Sequence, residues 1–253
     1  MILKDKVAIV TGAGSGIGRS SAEILARQGA SVVVADRNEV TGTETISLIR
    51  GNGGTAEFIK TDVSVDADIE AMIDFTVKQF GQIDILHNHA GVQVAGGLET
   101  VELKGMDDSY FINTRAQFYA ARLAVPYMKK IGKGSIVNTS SNSGCFYDND
   151  MIAYTTSEAA TIAMTKQMAV DYAKFNIRVN ALCPGWVDTP FNDPYIEQMG
   201  GRDAIEKHVA GTIPLGRWAT SEEMAESVLY LASDLSSIMT GHALVIDGGE
   251  SIA

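Results

Sequence analysis

The stretch Lys6-Val-Ala-Ile-Val-Thr-Gly-Ala-Gly-Ser-Gly-Ile-Gly18 decides the fold. Its run Val7 to Val10 is apolar without alternation, as a parallel strand buried on both faces requires. Gly12, Gly14, Gly16 and Gly18 follow, and Ser20 to Gln28 reads as a helix. Glycines let the backbone turn sharply and approach a diphosphate closely. The unpaired N–H groups and positive dipole end of the helix then face the anion. The spacing is Gly-x-x-x-Gly-x-Gly rather than the commoner Gly-x-Gly-x-x-Gly, and a tight turn without a ligand looks similar, so the next strand has to decide.

Ala30 to Ala35 is a second apolar run, ending on Asp36 eighteen residues past Gly18. A carboxylate there can accept from both adenosine ribose hydroxyls and repels a 2′-phosphate, which favours NAD over NADP. Arg37 pulls the other way, since a guanidinium can hold that phosphate, but Asp36 stands before it.

The composition agrees with one large α/β unit. The chain has 253 residues, 45% of them hydrophobic, enough for a sizeable core in a single domain over 1–253. A net charge of −11 argues against a nucleic-acid partner. No apolar run reaches membrane-span length, and the N-terminus enters a strand at once, which predicts neither a signal peptide nor a membrane partner. Cys145 and Cys183 are the only cysteines and show no metal-ligand spacing, so a reduced, cytoplasmic setting without a metal is expected.

Further strand-like runs come at Ala56–Ile59, Ile83–Asn88, Ser135–Thr139, Arg178–Leu182 and Ala243–Ile246, with amphipathic spacers between them. Seven short strands alternating with helices predict a Rossmann-type doubly wound parallel sheet covered on both faces. Ligands on such a sheet sit beyond the carboxyl ends of the strands. Asp36, Asp62, Asn88, Ser140, Ser141 and the Cys183-Pro184-Gly185 turn stand at those ends.

Thr11-Gly12-Ala13-Gly14-Ser15-Gly16-Ile17-Gly18, Asp62-Val63, Asn88-His89-Ala90-Gly91, Asn113, Ser141, Tyr154 and Pro184-Gly185-x-x-x-Thr189 resemble, in order and spacing, the NAD-preferring part of the short-chain dehydrogenase/reductase family. The resemblance covers nearly the whole chain. It implies that Gly12, Ser15, Gly16, Ile17 and Gly18 hold the diphosphate and that Asp36, with Arg37 beside it, meets the adenosine ribose. Asp62 and Val63 would contact the adenine, Asn88, Ala90 and Gly91 would border the ribose, and Pro184, Gly185, Val187 and Thr189 would hold the nicotinamide carboxamide. His89 stands where the family usually has a second asparagine, and His87 is also unusual. No nearby carboxylate or cysteine completes a metal site around them, so buried, hydrogen-bonded histidines are expected.

Met106 to Met128 carries apolar residues at helical spacing, with Asn113 among them. By resemblance, Asn113 binds a water that relays protons; by spacing alone it could be a solvated helix residue. Ser141 would hydrogen-bond the substrate oxygen, and Tyr154, thirteen residues on and near the start of a helix reaching about Phe175, would exchange its proton. The family pattern then calls for lysine four residues later, one turn along the same face. This chain has Glu158 there. Glu158 could still accept from the nicotinamide ribose hydroxyls, but its charge has the wrong sign for tyrosinate. A unit charge ~5 Å away at an effective dielectric of ~20 is worth roughly 3 kcal/mol, about 2 pKa units, and exchanging plus for minus doubles it. Protonation of a partly buried Glu158 would soften the penalty. Three readings follow: a substituted but otherwise ordinary dehydrogenase with crippled turnover, an enzyme working at high pH or in the reductive direction, and a non-catalytic NAD-binding protein. The completeness of the remaining site favours the first.

Residues 186–216 have weak periodicity and read as one or two short lid helices over the substrate. Gln93, Ser141, Asn142, Cys145, Tyr147, Met151 and Trp186 are the expected substrate lining, mixed aromatic and polar, suiting a small-molecule secondary alcohol or ketone. Small residues and methionines on the helix from Ile152 permit close packing, and the resemblance implies a homotetramer; ordinary core packing is the competing account.

Overall fold

The computed structural model describes residues 1–253. The buried runs become strands β1 (Val7–Thr11), β2 (Ser31–Asp36), β3 (Thr55–Lys60), β4 (Ile85–Asn88), β5 (Gly134–Thr139), β6 (Ile177–Pro184) and β7 (Ala243–Ile246). They form one seven-stranded parallel sheet in the order β3-β2-β1-β4-β5-β6-β7. The order reverses between β1 and β4, which opens a crevice at the carboxyl edge. The fold is the doubly wound one that the alternation of strands and helices predicts.

Alternate residues of each strand serve opposite cores, as the two-residue period dictates. Ile9, Val33, Ala35, Leu86 and Ile136 pack with helices α3 (Asp66–Phe80), α5 (Ala116–Ile131) and α6 (Ile152–Tyr172). Ala8, Val10, Val32, Val34 and Ile85 pack on the other face, against α1 (Gly16–Arg27), α2 (Glu39–Gly51) and α9 (Ser221–Ala232). Every residue of β1 is buried, which is why its sequence shows no polar alternation.

The largest departures from the sequence expectation are at three boundaries. Helix α1 starts at Gly16, not Ser20: Gly16, with φ +50°, opens the helix and Gly18 packs inside its first turn against the Gly12 carbonyl. The single helix expected over 106–128 is instead α4 (Leu103–Ser109), a π-helical turn at Tyr110–Arg115 and α5. A π turn adds a residue to the helical circuit and re-aims the side chains on it, and hydrophobic periodicity is too coarse to register one extra residue. Strand β6 runs Ile177–Pro184, longer than the expected 178–182 because its end is buried as well. Residues 186–216 carry α7 (Asp193–Gln198) and α8 (Arg202–Thr212), packed through Ile196, Ile205, Val209 and Ile213. No helix is long and apolar enough to cross a membrane.

At the edge opposite the crevice, the buried Asp84 carboxylate accepts from the Val7 amide at 2.9 Å, Lys6 Nζ at 2.9 Å and Gln82 Nε2 at 2.7 Å. It ties the start of β1 to the start of β4. Asp84→Ala leaves those donors unpaired, and a loss of about 2 kcal/mol is expected. Urea denaturation checks this; an unchanged midpoint would show that solvent replaces the carboxylate.

Candidate active site

The glycine turn after β1 is shaped by contacts that leave no room for side chains. Gly12 has φ +66°, and a Cβ there would lie 3.0 Å from Ala90 Cα. A Cβ on Gly18 would lie 2.1 Å from the Gly12 carbonyl oxygen, so α1 can approach the strand only through glycine. The turn is fastened to the next strand, because the Gly14 amide donates to Asp36 Oδ2 at 2.8 Å. Asp36 Oδ1 accepts from the Asn38 amide at 2.8 Å. Ser15 caps α1 in extended geometry and makes no side-chain cap bond, leaving the first-turn N–H groups facing the crevice.

Around that turn the structure gathers most of the predicted nucleotide residues. Thr11 Oγ1 accepts from the His89 and Ala90 amides at 2.9 and 3.1 Å, drawing the loop after β4 onto the turn. Thr189 comes from the far side: a Cβ on Gly16 would lie 3.1 Å from its methyl carbon. Asp62 accepts from the Ser64 amide and hydroxyl, and these bonds hold its carboxyl below the ordinary carboxylate range, with Arg37 contributing least. Arg37 is exposed, and Val63 packs against the core beside β2. Asn88 differs from the simple reading of a ribose-bordering side chain, since its amide donates inward to Asn138 Oδ1 at 3.0 Å and Gln117 O at 3.3 Å. Pro184 ends β6, Gly185 donates its amide to Ile246 O, and the buried Val187 bridges to Ala219.

His87 and His89 share the Thr139 hydroxyl, at 3.0 Å from His87 Nε2 and 3.2 Å from His89 Nδ1. Burial, with His89 nearby, holds His87 well below its ordinary value, and burial holds His89 down to about 4. Both rings are neutral at pH 7.

The reactive half is built where β5 ends and α6 begins. Along α6 the buried side is Tyr154, Ser157, Glu158, Thr161, Ile162, Thr165, Met168 and Ala169, a stripe of helical period. Tyr154 and Glu158 therefore stand one turn apart on the inward face, 9% and 4% exposed. Ser141, itself buried, accepts from the Ser143 amide at 3.1 Å and donates to Asn142 Oδ1 at 3.3 Å. Burial first, then the Glu158 carboxylate, pushes the Tyr154 phenol far above its ordinary value, and the Ser141 hydroxyl opposes them. Burial pushes the Glu158 carboxyl up to about 8, opposed only by Ser140. Glu158 Oε2 has no hydrogen-bond partner, and no cation acts on either group. Lys166 is exposed on the outer face of α6.

Asn113 lies on the π turn and is 1% exposed, so it is not the solvated residue its spacing allowed. Its amide accepts from the Val92 N–H at 2.8 Å and donates to Val92 O at 2.9 Å and Ser157 Oγ at 3.1 Å. Its carbonyl accepts from Gln117 Nε2 at 2.7 Å and Thr161 Oγ1 at 3.0 Å.

Of the predicted substrate lining, Asn142 and Met151 are buried and Gln93 and Trp186 half-buried, while Cys145 is exposed and Tyr147, at 77% exposed, stands in solvent. The sequence reading missed Glu250, which accepts from both Asn142 and Trp186. It lies 108 residues beyond Asn142, and no local pattern marks it.

Residues 12–251 match the sequence profile of a family described as Enoyl-(Acyl carrier protein) reductase. An uncharacterized oxidoreductase of Thermotoga maritima is 38% identical over 251 residues, 99% of each chain. A cyclopentanol dehydrogenase of Comamonas sp. is 35% identical over 98% of this chain and 97% of its own. The crystal structure of a short-chain type dehydrogenase/reductase from Mycobacterium marinum superposes with a TM-score of 0.93 at 34% identity, over 99% of this chain and 97% of that one.

Proposed function

The chain belongs to the short-chain dehydrogenase/reductase family, and on that premise we propose that it is an NAD(H)-dependent oxidoreductase interconverting a secondary alcohol and a ketone, its turnover restrained by Glu158. The observation that carries the reading is the buried Tyr154 phenol with the Ser141 hydroxyl acting on its proton affinity, at the carboxyl edge of the sheet. The relatives of this chain include alcohol dehydrogenases, which supports the same substrate class.

The glycine turn fits a dinucleotide, because Ser15 makes no side-chain cap bond and so leaves the first-turn N–H groups of α1 for an anion, while the close packing at Gly12 and Gly18 holds strand and helix together around them. Gly12, Ser15, Gly16, Ile17 and Gly18 would hold the diphosphate, Asp36 the adenosine ribose, and Asp62 and Val63 the adenine. Ala90 and Gly91 would border the ribose by backbone. Pro184, Gly185, Val187 and Thr189 would hold the carboxamide. When bound, the nicotinamide supplies the hydride acceptor or donor.

In this reading Ser141 turns its hydroxyl from Asn142 to the substrate oxygen, and Tyr154 exchanges the proton there. A phenol with its pKa raised stays protonated, the form that ketone reduction draws on, and supplies little phenolate to receive a proton in alcohol oxidation. Asn113 fastens the loop after β4 to α6, and its Oδ1, which accepts from the Val92 amide alone, keeps an acceptor position that would hold the relay water. Helices α7 and α8 form the lid, and the exposed Tyr110, Phe111 and Phe118 on one flank suit a subunit contact in a homotetramer.

The test is fluorescence titration with reduced cofactors beside turnover on a panel of cyclic alcohols and ketones. NADH should bind at least about tenfold more tightly than NADPH, as one repulsive carboxylate against a 2′-phosphate implies. Equal affinities would show that Arg37 outweighs Asp36. Cofactor binding with no turnover in any residue-158 form would sink the oxidoreductase reading.

A further inference from the structure

The C-terminal turn enters the substrate side through Glu250. Trp186 Nε1 donates to its Oε1 at 2.9 Å and Asn142 Nδ2 donates to its Oε2 at 2.8 Å. A carboxylate only accepts, so the Asn142 nitrogen must face Glu250 and its oxygen must face Ser141, whose hydroxyl donates to it. The result is a connected row, Trp186–Glu250–Asn142–Ser141, leading to the proposed reacting oxygen. Asp247 builds the turn beneath it, accepting from the Gly249 and Ser251 amides at 2.9 Å each.

Each Glu250 oxygen has two acceptor positions and has used one of them, and the residue is only half-buried. No lysine or arginine bonds Glu250, and the nearest basic ring on its partners is His208, edge-on to Trp186 with ring centroids 6.0 Å apart. Asp148, held by the Ser143 hydroxyl at 3.2 Å, bears on Tyr154, Tyr195 and Glu250, and no lysine or arginine acts on those three groups. Glu158 Oε2, deeply buried beside Tyr154, is a further polar atom without a partner from the protein. A site with spare acceptors and no cation recognises donors and rejects anions.

We propose that Glu250 is a specificity-determining residue that accepts a hydrogen bond from a second donor group, hydroxyl or ammonium, carried beside the reacting carbon of the substrate. Asp148 reinforces the rejection of anionic substrates. The inference rests on the oxidoreductase reading only for the location of the reacting carbon.

Binding can be read without turnover, because an alcohol added to the NADH-loaded protein has no hydride acceptor. Calorimetric titrations with cyclohexanol, cis-1,2-cyclohexanediol, trans-2-aminocyclohexanol and cyclohexanecarboxylate separate the cases. The diol or the amino alcohol should bind about tenfold more tightly than cyclohexanol, the effect of one charge-assisted hydrogen bond, and the carboxylate should not bind. Which of the two gains more tells a neutral donor from a cationic one. Glu250→Leu should bring both ratios to about one, and Glu250→Gln should remove chiefly the amino-alcohol advantage. If those variants do not fold, Asp148→Asn, on an exposed side chain, should lower the amino-alcohol ratio about threefold, the effect of one more distant charge. Equal affinities for all three alcohols, or tight binding of the carboxylate, would overturn the proposal. Turnover of these alcohols by Glu158→Lys without preference sinks this inference alone, whereas Glu250-dependent binding without turnover sinks the oxidoreductase reading alone.

Discussion

Replacing Glu158 by lysine is expected to raise NAD-linked oxidation of a secondary alcohol by about a hundredfold near neutral pH. Oxidation needs a phenolate to receive the substrate proton, and burial together with Glu158 disfavours it at Tyr154. With its carboxyl pushed up to about 8, Glu158 is mostly neutral at pH 7, so the substitution there installs one positive charge rather than reversing a negative one. One charge ~5 Å away at an effective dielectric of ~20 is worth roughly 3 kcal/mol, or about 2 pKa units of the phenol. Above pH 8 the carboxylate is charged, and the gap between the two forms should widen. Ketone reduction draws on the neutral phenol, so it should respond much less. The measurement is a pH–rate profile in both directions for both forms. The native form should still be climbing in oxidation at the most alkaline pH tested, while the lysine form levels off earlier. Superimposable oxidation profiles would discard the electrostatic account of restrained turnover.

Glu158→Gln should stabilise the protein above pH 8, with its advantage over the native form growing between pH 4.5 and 8. The sign follows from proton counting. In the unfolded chain the carboxyl ionises near 4.5, whereas in the folded protein it keeps its proton until about 8. Across that interval the folded state binds more protons, so stability falls as pH rises; the penalty is absent below 4.5 and complete above 8. Its upper bound, from 1.36 kcal/mol per pKa unit, is of order 5 kcal/mol, and water reaching the unpartnered Oε2 would reduce it. Glutamine keeps the size of the side chain and does not ionise. Urea denaturation at several pH values checks the prediction. Parallel curves for the two forms would show that Glu158 finds a partner in solution, and with that the Glu158 contribution to the raised tyrosine pKa would also fail.

What the chain states by itself is what neighbouring residues can encode. The apolar run at Val7–Val10, the glycines after it and Asp36 at the end of the second run specify a tight glycine turn between strand and helix, because backbone conformation and a two-residue burial period are local properties. The four-residue step from Tyr154 to Glu158 likewise specifies a shared helix face. Whether that face is wet or dry is not local. Only the packing of α6 against β6 and the turn after β5 leaves the carboxyl 4% exposed and without a cation, which turns an exchange of charge into a large shift of proton affinity. The π turn that buries Asn113 also lay beyond sequence periodicity, because one extra residue in a helical circuit leaves the apolar pattern almost intact. Glu250 shows the limit most sharply. Its approach to Asn142 and Trp186 depends on β7 docking against β6 at the sheet edge, and pairing between segments so far apart is decided by the closure of the whole core, not by any stretch of residues read alone.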